Sequence, residues 1–114
     1  IKAWRRLRQS SVSISMAHEL FSVVITDAAK KRLRRHKHSE AQLLRAMLEL
    51  RSDPSADHEL AGRLRGYRSL KIFVKGGGEY RAIYRVDEEE SSVIVHWIGT
   101  RENVYDEAER HLFG

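Results

Sequence analysis

The chain has 114 residues, 41% hydrophobic and 32% charged, with no cysteine and a formal net charge of +5. That length suits one domain with a modest core inside a charged shell. The composition excludes disulfides and thiolate metal sites. No apolar run approaches the ~20 residues needed to span a bilayer, and the excess of base favours a polyanionic partner such as nucleic acid, or else an acidic protein.

Residues 1–15 form a basic leader, with Lys2, Arg5, Arg6 and Arg8 followed by a serine-rich run. It lacks the apolar core of a signal peptide. The expectation is a disordered segment, or one not native to the domain, with Met16 as a natural start and residues 16–114 as the domain. The alternative is a short basic helix around Trp4 and Leu7. Residues 20–25 (LFSVVI) read as a strand with buried character on both faces. Thr26-Asp27 is a helix-start signal. The segment after it carries Lys30, Lys31 and Arg34 among six cations, with only Ala28, Ala29 and Leu33 free to face a core. It is either an electrostatic collar for RNA or DNA or an exposed helix flank.

Ser39-Glu-Ala-Gln42 reads as a capping box. The helix behind it offers Leu43, Leu44, Met47, Leu48 and Leu50 at 3–4 spacing, a core stripe rather than a cofactor pocket. Ser52-Asp-Pro-Ser55 is a stop and turn, and residues 58–64 are a loop with room for one helical turn.

From Leu70 onward the pattern has period two. Leu70, Ile72 and Val74 share one parity, and Lys71, Phe73 and Lys75 the other. After Gly76-Gly77-Gly78, Tyr80, Ala82, Tyr84 and Val86 alternate with Arg81, Ile83 and Arg85, which predicts a β-hairpin with a glycine turn. If the three glycines are the whole loop, Lys75 faces Glu79, Phe73 faces Arg81 and Lys71 faces Ile83. Lys71, Lys75, Arg81 and Arg85 then share the face of Phe73. That face is either solvated or built to meet a phosphate backbone. Asp87-Glu-Glu-Glu-Ser-Ser92 is an acidic turn. Val93–Ile98 reads as a central strand ended by Gly99, with Thr100 capping a last helix that carries Arg101, Val104, Tyr105, Ala108 and Leu112. The order β-α-α-β-β-β-α gives an α+β domain: a small antiparallel β-sheet with an N-terminal helical hairpin and a C-terminal helix.

No P-loop, serine triad, cofactor motif or metal site is legible. His96 is the best placed of six histidines for base catalysis, although a structural role suits it better. What remains is Lys71, Arg81, Arg101 and Tyr105, beside Phe73. Such a set could cleave RNA without metal. Arginines stabilise charge on the nonbridging oxygens as the 2′-hydroxyl attacks phosphorus. A lysine takes the hydroxyl proton, and a tyrosine stacks on a base or orients the nucleotide. The same set could equally bind phosphate with no catalysis.

Three motifs carry a resemblance: Leu64-Arg-Gly-Tyr-Arg-Ser-Leu-Lys71, Glu79-Tyr-Arg-Ala-Ile-Tyr-Arg-Val-Asp87 and Ile98-Gly-Thr-Arg-Glu-Asn-Val-Tyr105. Over residues 20–113 the chain resembles the RelE/ParE superfamily of toxins from bacterial type II toxin–antitoxin systems. The RelE branch implies a cytoplasmic, metal-independent endoribonuclease that cuts mRNA in the ribosomal A site, inhibits translation and is wrapped by a cognate antitoxin. The resemblance places catalysis on Lys71, Arg81, Arg101 and Tyr105. Phe73, Lys75, Arg85, Lys30, Lys31 and Arg34 are the expected RNA-binding residues. Phe73 stands where such toxins often carry a second lysine, and the turn Lys75-Gly-Gly-Gly-Glu79 is longer than usual. The ParE branch shares the fold but binds and inhibits DNA gyrase without nuclease chemistry.

Overall fold

The computed structural model describes residues 20–55 and 57–114, so the expectations for the leader lie outside the described residues. Strands β1 (Ser22–Ile25), β2 (Arg68–Val74), β3 (Gly78–Asp87) and β4 (Ser92–Thr100) form one sheet in the order β1-β4-β3-β2. Helices α1 (Asp27–Arg35) and α2 (Glu40–Leu48) precede β2, and α3 (Val104–Phe113) closes the chain. The expected element order and α+β class are borne out, but the sheet is mixed. β2, β3 and β4 are antiparallel neighbours, while β1 joins β4 in parallel.

β1 is an edge strand with alternating exposure, and Val24 is open to solvent, so it is buried on one face only. Thr26 caps α1 by accepting the Ala29 N–H at 3.2 Å. The capping box expected at Ser39 does not form. A 3₁₀ turn over Lys37–Ser39 runs straight into α2, leaving Ser39 in helical conformation without a side-chain cap. Ser39 is instead buried beneath the β2–β3 turn, where a Cβ on Gly77 would meet its Oγ at 3.0 Å.

That turn also sets the register. The Gly77 N–H donates to Val74 O at 2.8 Å, and Gly76, at φ 81°, takes the turn position that needs a positive φ. Gly78 is drawn into β3 opposite Val74, Phe73 pairs with Glu79, and Lys71 pairs with Arg81. The pairing is displaced by two residues from that expected, so every side chain keeps its expected face.

On one face, Ile72, Val74, Ala82, Tyr84, Val93 and Val95 pack against Leu33, Leu43, Met47 and Leu50 of the helical layer. Full burial of each large aliphatic side chain contributes about 1.5–3 kcal/mol. The register breaks between Ile83–Trp97 and Tyr84–Val95, leaving His96 as the extra residue of a bulge. The bulge lets Val95 and Ile98 both enter this core, which straight alternation forbids. On the other face, α3 lays Val104 and Ala108 over Ile83. The face expected to be either solvated or open to phosphate therefore has a covered centre. Gly99 does not end the strand, and Thr100 is still strand. A Cβ on Gly99 would lie 2.9 Å from Glu107 Oε1 and 3.3 Å from Val104 Cβ, so glycine here permits the close approach of α3.

β1 pairs only with residues 92–95, so the end of β4 has an open edge. Arg32 of α1 fills it. Its Nε donates to Ile98 O at 3.2 Å, its Nη2 to Glu107 Oε1 of α3 at 3.3 Å, and its guanidinium lies 5.1 Å from the Trp97 ring centroid. The Trp97 indole N–H donates to the same carboxylate oxygen at 3.1 Å. Among the described residues, no helix is long and apolar enough to cross a membrane.

Candidate functional site

The antiparallel pairing of Lys71 with Arg81 sets two cations side by side on the face that α3 partly covers. The close seat of α3 at Gly99 brings the Tyr105 hydroxyl to this pair. It accepts from Arg81 Nη1 at 2.8 Å and shares a hydrogen bond with the buried Ser69 Oγ at 3.0 Å. Arg81 is further held by Glu79, whose Oε2 accepts from Nε at 2.8 Å and from Nη2 at 2.5 Å. The two side chains are only 15% and 13% exposed. Of the guanidinium's five N–H donors, these contacts engage three and leave two for a ligand.

The Arg81 guanidinium, by hydrogen bonding, holds the Glu79 carboxyl below its ordinary range, and the charges of Lys71 and Arg101 act in the same direction. Burial alone would lower the Arg81 pKa. The hydrogen bond to Glu79 and its charge, with the hydrogen bond to Tyr105, outweigh it and raise the value. Arg101 is exposed in the turn between β4 and α3, and its backbone N–H donates to Glu79 O at 3.2 Å. It does not begin α3, as expected, because β4 runs on to Thr100 and the helix starts at Val104.

The structure thus brings together Lys71, Arg81, Arg101 and Tyr105, the four expected catalytic residues. Phe73, 72% exposed, lies opposite Glu79, with Lys71 Nζ 5.8 Å from its ring centroid. Lys75 is exposed in the hairpin turn. Arg85 shares the face but lies beyond Ile83, where it acts on His96. Lys30, Lys31 and Arg34 are exposed on α1, in the helical layer of the opposite face, so they are not brought to this set. His96 packs edge-to-face on Tyr67 with centroids 5.5 Å apart. Its burial, then Arg85 and His111, push its pKa below the ordinary histidine value. It serves the bulge rather than the site.

Three participants escaped the sequence reading. Glu79 had a usable signal, since a carboxylate two residues before an arginine on a strand shares its face. Ser69, a small polar residue, carries no such mark. Asp57, whose Oδ2 accepts the Lys71 backbone N–H at 2.9 Å and so caps the edge of β2, comes from a loop that pattern cannot place.

The family model described as "ParE toxin of type II toxin-antitoxin system, parDE" matches residues 23–105. Among solved structures, the chain is similar to the RelBE2 toxin–antitoxin complex of Mycobacterium tuberculosis (TM-score 0.63, 22% identity, covering 73% of this chain and 93% of that one). It is similar to a mutant E. coli RelE toxin in the free state (TM-score 0.63, 24% identity, 82% and 99%). The isolated E. coli RelE toxin also matches, with TM-score 0.56, 26% identity and the same coverage. No curated protein matches by sequence.

Proposed function

We propose that this chain, which belongs to the ParE toxin family of type II toxin–antitoxin systems, is a ribosome-dependent mRNA endonuclease that stops translation in the cytoplasm. The observation that carries this reading is the convergence of Lys71, Arg81 and Tyr105 on one sheet face. In its neutral form Lys71 takes the 2′-hydroxyl proton as the oxygen attacks the adjacent phosphorus. The guanidinium of Arg81, with Arg101, stabilises charge gathering on the nonbridging oxygens. Tyr105, already accepting from Arg81, gives its own proton to the departing 5′ oxygen. The bond from phosphorus to that oxygen breaks, leaving a 2′,3′-cyclic phosphate. Phe73 is free to stack on a base.

A cognate antitoxin silences the toxin by covering Lys71, Arg81 and Arg101 or by displacing α3, as charge complementarity with an acidic or helical partner would favour. A toxin–antitoxin complex that leaves these three fully open to solvent would remove that mode of inhibition. The second reading, gyrase binding without nuclease chemistry, is favoured by one feature: Arg81 is already neutralised by Glu79. In-vitro translation with primer extension on the message, run beside a gyrase supercoiling assay, decides between them. Ribosome-dependent cuts support the nuclease. Intact message with inhibited supercoiling overturns it.

A further inference from the structure

Among the described residues, Glu79 is the carboxylate bonded to the Arg81 guanidinium. Its Oε2 takes two N–H bonds from Arg81, and the charges of Lys71 and Arg101 help hold it ionised. A carboxylate oxygen that takes both N–H groups on one edge of a guanidinium stands where a charged phosphate oxygen would. The tether is firm. Glu79 is strand-paired with Phe73, and its backbone oxygen accepts the Arg101 N–H.

We propose that the Glu79 carboxylate is a resident counter-anion that occupies a phosphodiester site formed by Lys71, Arg81 and Arg101, so that an incoming phosphate must exchange with it on Arg81. The inference deepens the nuclease reading, on which its physiological ligand, the backbone of single-stranded RNA, rests. Tyr105 stays on Arg81 Nη1 throughout the exchange, so the guanidinium keeps its orientation while Nε and Nη2 change partner. The carboxylate lowers the affinity of the free toxin for stray polyanions. A phosphate presented in a fixed geometry, with several contacts made at once, overcomes it.

The test uses the whole chain and inorganic phosphate as probe, followed by NMR at the Arg81 Nε–H resonance. Glu79→Gln keeps the side-chain shape and removes its charge, and Glu79→Ala removes both. Each variant should bind phosphate about fivefold more tightly than the parent, the equivalent of a well-formed surface ion pair at the upper end of the usual range. A single-stranded RNA oligonucleotide, followed by fluorescence anisotropy, should also bind more tightly, with a log–log salt slope steeper by about one counterion. Phosphate affinity unchanged or weakened in both folded variants overturns the proposal. If phosphate binds the variants more tightly but neither parent nor variant cuts message during in-vitro translation, the anion site stands and the nuclease reading fails. If Glu79→Gln abolishes cleavage while phosphate affinity stays that of the parent, Glu79 acts in the chemistry and the counter-anion role is overturned.

Discussion

The hydroxyl of Tyr105 and the guanidinium of Arg81 meet at 2.8 Å, although one comes from the C-terminal helix and the other from the middle of the sheet. The contact exists because β4 carries glycine at position 99 and α3 can settle onto it. Every functional expectation for the site passes through this pair.

Arg81→Ala should slow ribosome-dependent cleavage by about 10²–10³, the loss typical of a preorganised charge-stabilising donor. As a side chain on an exposed strand face it would cost no more than ~0.5 kcal/mol to remove. Its half-buried position and its bond to Tyr105 raise that to about 1 kcal/mol, the net value of one hydrogen bond. Primer extension and urea denaturation on one preparation separate the two effects. A stability loss that accounts for all the lost activity would remove Arg81 from the chemistry.

Tyr105→Phe keeps the ring and deletes the oxygen that joins Arg81 to Ser69. Ser69 is fully buried, so its Oγ loses its side-chain partner at a cost of about 1–3 kcal/mol. If the tyrosine only stacks on a base, cleavage survives the change. If it orients Arg81 or donates a proton, cleavage falls with the hydroxyl. Cleavage rates measured well below the variant's melting temperature show which holds.

Gly99→Ala places a methyl group against Val104 Cβ and the Glu107 carboxylate. Glu107 can swing aside, but Val104 sits on the helix backbone and cannot. α3 should lift, costing about 1–3 kcal/mol as overpacking does, and the Trp97 indole N–H should lose its bond to Glu107. The indole resonance in a ¹H–¹⁵N spectrum reads this directly, and an unmoved resonance with unchanged stability contradicts the close-approach argument.

His36 and His96 both have pKa values lowered from 6.5, first by burial. Their neutral forms belong to the folded state, so the stability they confer is complete above that value and is lost as pH falls toward their folded values. Around His96 the neighbouring groups are Arg85 of β3, His111 of α3 and Tyr67, so protonation also adds like charge against α3. Urea midpoints should fall between pH 7.5 and pH 5.5, and His96→Gln should flatten part of that slope. A parent midpoint that does not move over this range contradicts the assignment.

A chain beginning at Met16 should keep a cooperative thermal transition, since the core pattern begins at residues 20–25. Loss of that transition would show that Trp4 and Leu7 pack on the domain.

Strand faces were legible because period two survives an error in loop position. The loop has the three residues expected but lies one position earlier, at Lys75-Gly76-Gly77, and the resulting two-residue shift in pairing leaves Lys71, Phe73 and Arg81 on one face. The bulge at His96 was not, because an extra residue shows only as Val95 and Ile98 failing to alternate. Gly99 misled because a glycine at a strand end reads as a terminator, whereas here it answers to a helix arriving from later in the chain. Ser39 misled for a similar reason: its capping pattern is local, while the burial that claims it comes from the hairpin turn. The four candidate residues were singled out by motif and the Lys71–Arg81 pairing follows from the sheet, but the placement of Tyr105 depends on α3, whose seat no short-range pattern records.

Arg32 makes the two helical layers interdependent. By spanning the open end of β4 it joins α1 to the Glu107 carboxylate, and Glu107 stands two residues from Tyr105 on the same helix. Whatever coupling this contact carries acts equally in both directions. Arg32→Ala, which removes it without touching the sheet face of the site, is therefore the substitution that would report on whether the seat of Tyr105 depends on α1.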